Sequence, residues 1–167
     1  MTIERKISNF FNLNDNSWLK HSNPKSVFSR YLVFPLMAYS FFLRRWIGWW
    51  SIIPIIISFI WMYINPILFK KPKTTKTWAS KSVLGERVYL NRDQISIPNH
   101  HKRIPKILNV FSLIATLILI WGIIDLNFLI TSFAILISYL SKSWYLDRMV
   151  WLFEDMKHIE KYNKWLY

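Results

Sequence analysis

Four runs of apolar residues, set in two pairs around one long polar stretch, constrain this chain more than any other feature. The runs cover about residues 27–43, 47–69, 107–124 and 128–146. An α-helix needs about 17–25 apolar residues to cross a bilayer, and each run falls close to that range. Apolar residues clumped in this way read as membrane spans rather than as a shared soluble core, because a helix satisfies its own backbone groups inside lipid. The expected fold is therefore all-α: an integral membrane protein with four transmembrane helices as two hairpins. It divides into a tail (1–26), a first hairpin (27–69), a basic loop (70–106), a second hairpin (107–146) and a C-terminal amphipathic helix (147–167), all in one membrane domain.

Local signals refine this outline. Arg44-Arg45-Trp46-Ile47-Gly48-Trp49-Trp50 looks like a tight interfacial turn, with Trp46, Trp49 and Trp50 at headgroup depth as lipid-contact candidates. Pro54 inside the second run removes a backbone donor and is expected to kink that helix. Asp125-Leu126-Asn127 makes a minimal turn, and Lys142 near the end of the fourth run is placed to snorkel. Ile3, Ile7, Phe10 and Phe11 recur at helical spacing, as in a short interfacial helix or a frayed tail. Apolar Tyr145, Met149, Leu152, Phe153, Met156 and Ile159 share one face of the last helix, which is expected to run on from the fourth span.

The chain carries 22 Lys+Arg against 9 acids, a formal charge of +13. This charge lies on no single helix or stripe, which argues against nucleic acid; it alternates with the apolar runs, as topology signals do. The tail through Arg30 holds 5 of the basic residues, the first turn 2, the stretch 70–106 holds 10, the second turn none, and Lys142 onward 5. The positive-inside rule then puts both termini and the basic loop in the cytoplasm of a multi-pass cell-membrane protein. Arg44 and Arg45 are discordant, and a re-entrant first hairpin would account for them. Residues 1–26 are polar, so no cleavable signal peptide is expected.

The chain has no Cys, which excludes disulfides, thiolate metal ligands and a cysteine nucleophile. Its 3 Gly leave no glycine-rich phosphate loop, and histidine boxes, HExxH and serine elbows are missing. No catalytic residue and no cofactor are expected. The four histidines fall outside the apolar runs. His100 and His101 are adjacent; Glu154 and His158 are four apart and Asp155 and His158 three apart, so both pairs share a helix face. His100, His101, Glu154 and His158 are thus the candidate metal ligands, and the same residues also read as a solvated polar cluster. Glu86, Arg87, Asn91 and Arg92 in the basic loop are candidates for lipid or partner contact, alongside Asp147 and Arg148 in the last helix. The alternative is that the loop's charges pair with Asp147, Arg148, Glu154 and Asp155 and close the cytoplasmic face.

The segments WLKHSNPKSVFSRY, RRWIGWW, INPILFKKP, TWASKSVLGERVYLNRDQISIPNHH and YLDRMVWLFEDMK resemble a family of small prokaryotic four-span membrane proteins, a domain of unknown function. The resemblance covers about residues 17–157 and implies four spans with no established activity. In type, the chain is also similar to accessory subunits of the copper monooxygenase of ammonia-oxidising archaea. It lacks intramembrane Asp and His copper ligands, so in such a complex it would be non-catalytic. The expected function is an accessory or structural subunit of a larger membrane complex, with lipids and other membrane subunits as partners. The alternative is a lipid- or metal-handling membrane enzyme with its site at the loop and C-terminal helix.

Overall fold

The computed structural model describes residues 15–167, apart from the side chains of residues 66 and 67; the spacing noted at residues 3–11 lies outside that range. The described residues form helices and connecting turns without strands. The helices are α1 (Asp15–His21), α2 (Pro24–Ser40), α3 (Arg44–Ile47), α4 (Ile52–Leu68), α5 (Trp78–Leu90), α6 (His100–Ile124), α7 (Phe128–Met156) and α8 (Glu160–Asn163). Among the described residues, three helical stretches are long and apolar enough to cross a membrane: Pro24–Asn65, His100–Ile124 and Phe128–Met156. The first of these takes in one of the four apolar runs and most of a second, because two 3-10 segments and α3 carry helical backbone through residues 41–51.

The reversal inside that stretch occurs at Gly48, whose φ of 54° and ψ of −130° suit only a residue without a Cβ. Asn23 starts α2 by accepting from the Lys25 backbone N–H at 2.9 Å, with Pro24 at the first helical position. The far end of α4 returns to this point. The Asn65 amide bridges Ser26 and Ser29 at 2.7 and 2.8 Å, and turned with its oxygen toward Ser29 it also accepts from Trp61 Nε1 at 3.2 Å. Pro54 has a milder role than its sequence position suggests. Since α4 begins at Ile52, Pro54 sits in the first turn, where its missing N–H has no intrahelical acceptor to lose.

α6 and α7 form the most extensive helix pair, joined by a turn in which Leu126 takes a positive φ of 50° and Asn127 caps α7 by accepting from Ile130 N at 3.1 Å. At this end Arg44 donates to the carbonyls of Ile124 (2.8 Å) and Ile123 (3.3 Å), so one of the two discordant arginines caps the negative end of α6. An aromatic seam joins α2 to α7. Tyr31 stacks on Tyr139 and Tyr39 on Phe128, with ring centroids 5.5 and 5.4 Å apart, and Tyr39 shares a hydrogen bond of 2.8 Å with Ser132.

The basic stretch 70–106 departs most from expectation. It is no simple loop: α5 occupies its middle and α6 begins within it. Thr77 caps α5 through Ser80 N at 3.2 Å, and Ser80 Oγ donates to the Ser22 carbonyl at 2.8 Å. α5 lies directly on the cap-side half of α7, and a Cβ on Gly85 would come within 1.9 Å of the Met149 carbonyl oxygen. Leu84, Val88, Tyr89, Met149, Leu152 and Phe153 make the centre of a buried core there, which Tyr162 of α8 completes. The last helix is correspondingly shorter than the range 147–167. α7 ends at Met156, and Ile159, in extended conformation, turns α8 back under that core. The chain then runs alongside residues 74–75, where Thr75 N donates to the Tyr167 carbonyl at 3.0 Å. α5, the ends of α6 and α7, and α8 together form a polar cap on the apolar helices.

Candidate functional site

The cap gathers most of the polar residues singled out in the sequence, with changed partners. His100 and His101 occupy the first turn of α6, and α7 delivers its last turn beside them. His101 Nε2 donates to Asp155 Oδ2 at 2.8 Å, and His100 Nε2 lies 3.4 Å from the same oxygen. The His101 side chain is 1% exposed, whereas His100 and Asp155 are 62% and 45% exposed. Burial holds the His101 imidazole below its ordinary value; the bond to Asp155 opposes this, and His100 and Arg148 reinforce it. The Asp155 carboxyl is lowered chiefly by the hydrogen bond from His101.

The carboxylate facing the two histidines is therefore Asp155, not Glu154. Glu154 points the other way around α7, to Lys81 at 2.5 Å and Lys157 at 2.6 Å, and those bonds lower its carboxyl. Nor does His158 join the cluster. Its Nδ1 bonds the Asp155 main-chain carbonyl at 2.8 Å in the turn after α7. Residues 154 and 155 are about 100° apart around a helix. Which one meets α6 depends on how α6 and α7 are rotated against each other, and spacing within one helix carries no such information.

The other candidates are distributed over the cap. Glu86 pairs with Lys142 at 2.7 Å, so Lys142 reaches α5 as well as lying over the Tyr145 ring. Arg87 pairs with Asp15 and stacks on Trp165, its guanidinium carbon 4.0 Å from the ring centroid. Burial lowers the Arg87 pKa, and Asp15 opposes that shift. Asp15 was not recognisable as a partner, since 72 residues separate the two. Asn91 ends α5, its carbonyl accepting from Gln94 and Ile95 at 2.9 and 3.0 Å, while Arg92 folds over Tyr89 at 4.2 Å. Asp147 accepts from two indole N–H groups, Trp78 and Trp151, each at 3.2 Å. The Nε of Arg148 is buried with no hydrogen-bond partner among the described residues. Trp46, Trp49 and Trp50 stand apart from all of these at the opposite end, strongly exposed around Gly48.

A family model matches residues 2–166, nearly the full chain. The chain belongs to the family of unknown function DUF6653. No curated protein and no solved structure matches it. All the described helices lie within the matched residues.

Proposed function

We propose that this DUF6653 protein is a non-catalytic, structural subunit of a larger membrane complex, crossing the cell membrane four times as two hairpins with its cap in the cytoplasm. The observation that carries the reading is the continuity of α7, which runs from the turn at Asn127 into the centre of the cap core without a break. A cap built on the same helix as the span is a rigid extension of the membrane part, and its interior is filled by side chains such as Leu84, Leu152 and Phe153. Four full crossings are supported by tryptophans at both ends. Trp49, Trp50 and Trp121 are exposed near the turns, and Trp144 and Trp151 near the cap. From Phe128 to Trp144 a helix rises about 24 Å at 1.5 Å per residue, about four-fifths of one hydrocarbon thickness. The capping role of Arg44 gives a local reason for one of the two arginines at that end and so favours full crossing over a re-entrant hairpin.

The apolar faces of α4 and α6 that point away from their neighbours suit lipid together with the helices of partner subunits. A copper monooxygenase complex is the most specific partner the reading extends to, on similarity of type. Isolation in mild detergent, followed by identification of co-migrating proteins, tests it. Stable co-migration with other membrane subunits is the expected result, and migration as a lone monomer would overturn the subunit reading. A reporter inserted after Gly48 should be accessible from outside the cell only; accessibility from the cytoplasm alone would remove the first hairpin from the model of four crossings.

A further inference from the structure

We infer that His100, His101 and Asp155 form a binding site for a divalent transition-metal ion of the zinc type, which ties the first turn of α6 to the last turn of α7. The donor set is two imidazoles and one carboxylate, a combination that zinc and its neighbours accept and that the oxygen-seeking magnesium and calcium do not favour. One ligand atom from each of the three residues can be chosen so that all lie within 4.8 Å of one another. Nitrogen and oxygen ligands about 2.0–2.2 Å from zinc stand roughly 3–3.5 Å apart at tetrahedral or right-angle geometry. The observed 2.8 and 3.4 Å separations to Asp155 Oδ2 already match that spacing. An ion could enter by replacing the two N–H to oxygen contacts, the two imidazole nitrogens, up to 4.8 Å apart, drawing together by about an ångström through rotation of the exposed His100 ring.

The local structure supplies what such a site needs. Neighbouring side chains on a helix diverge by about 100°, yet the two imidazole centroids here are only 4.1 Å apart, and both rings turn an Nε2 toward one oxygen. His101 is locked by burial, and the exposed His100 and Asp155 give the ion a route in and leave its remaining positions to water. The buried Nδ1 of His101 has no partner among the described residues, so nothing but Asp155 holds the ring proton on Nε2. Metal at Nε2 moves that proton to Nδ1, a buried N–H with no partner among the described residues, which lowers the affinity. The positive start of α6 and the nearby Arg148 act against a cation. Affinity therefore comes from the imidazole donors, and it should fall short of a closed four-ligand structural site. The inference does not depend on the subunit reading: a lone monomer could bind the ion, and an ion-free chain could sit in a complex.

The test uses the full chain, purified in detergent without a polyhistidine tag and stripped with chelator. Cobalt(II) is titrated in, its visible d–d bands are followed, and zinc(II) is then added as a competitor. One saturable ion per chain is expected, displaced by zinc and not by magnesium. Asp155→Asn keeps the side chain's size and an oxygen acceptor for His101, and His100→Ala alters an exposed residue, so both should fold. Each should weaken binding about tenfold or more, equivalent to about 1.4 kcal/mol. His158→Gln should leave binding unchanged. Absence of saturable binding, native affinity in Asp155→Asn and His100→Ala, or a tenfold loss in His158→Gln would each overturn the site.

Discussion

Where α5 crosses α7 the contact is backbone against backbone at Gly85 and Met149, whereas α2 and α4 are joined near one end by an asparagine amide between two serines. The first contact sits in the polar cap and is backed by a core in which Leu84, Val88, Leu152 and Phe153 are fully buried. Hydrophobic burial can drive that association. The second lies among apolar helices, where lipid is as good a solvent for side chains as another helix is. There, close fit and a few hydrogen bonds must serve instead. The two halves of the molecule thus use different forces, which different substitutions should separate.

The largest effect is expected at Gly85. Alanine would place a methyl group 1.9 Å from a carbonyl oxygen of α7, and since the obstacle is backbone, the helices themselves must part. Gly85→Ala should cost about 3 kcal/mol or more, at the upper end for overpacking. Thermal unfolding of the detergent-solubilised protein would register the loss. Limited proteolysis should then cut first in the connection after α5, around residues 91–99, while α2 and α4 stay protected. Early cutting between α2 and α4 instead would show that the cap is not an independent source of stability.

This contact also shows what could be read from the sequence and what could not. Long apolar runs announce themselves, and the helices α2, α4, α6 and α7 begin or end within a few residues of where those runs suggest. α5 hides because its buried side mixes Val83, Leu84 and Val88 with Ala79, Ser80, Ser82 and Gly85. Small polar residues on a tightly packed face look the same, in one dimension, as a solvated connection. Thr77 ahead of Trp78 was the available signal, an N-cap residue in front of a stretch without proline. The candidate site divided in the same way. His100 and His101 were identifiable as chemistry-bearing residues. Their carboxylate partner was fixed only by the packing of α6 on α7.

A pH dependence should appear where the two halves meet. His21, at the end of α1, has the Arg30 side chain of α2 on its ring nitrogens (2.9 Å to Nε2) and Trp18 edge-on at 5.8 Å. Burial first, then Arg30 and Lys142, hold its imidazole well below the ordinary value of 6.5. The folded chain therefore keeps His21 neutral at pH values where the unfolded chain protonates it. Stability from this residue is complete above about pH 6.5 and declines as the pH falls below it, with a limiting slope of about 1.4 kcal/mol per pH unit for one proton. Between pH 7 and pH 5 the melting temperature should fall in the native protein and fall less in His21→Gln. Parallel pH profiles for the two proteins would mean that the junction stays closed without a neutral His21.

The smallest effect is expected at Asn65, and it bears most directly on the contrast between the halves. Asn65→Leu keeps the branched, four-heavy-atom side chain and removes the amide between Ser26 and Ser29. Interhelical hydrogen bonds in membranes contribute about 0.6 kcal/mol on average and seldom more than about 1.7. Ser29 already donates to the Ser26 carbonyl at 3.0 Å, so its hydroxyl keeps a partner within α2 when the amide is gone. A loss near 1 kcal/mol, with proteolysis of the cap unchanged, would fit a first helix pair held by many small contacts. A loss matching that of Gly85→Ala would mean instead that this one polar bridge governs the pair. The aromatic seam from Tyr31 and Tyr39 to α7 would then be too weak to hold α2 in place without it.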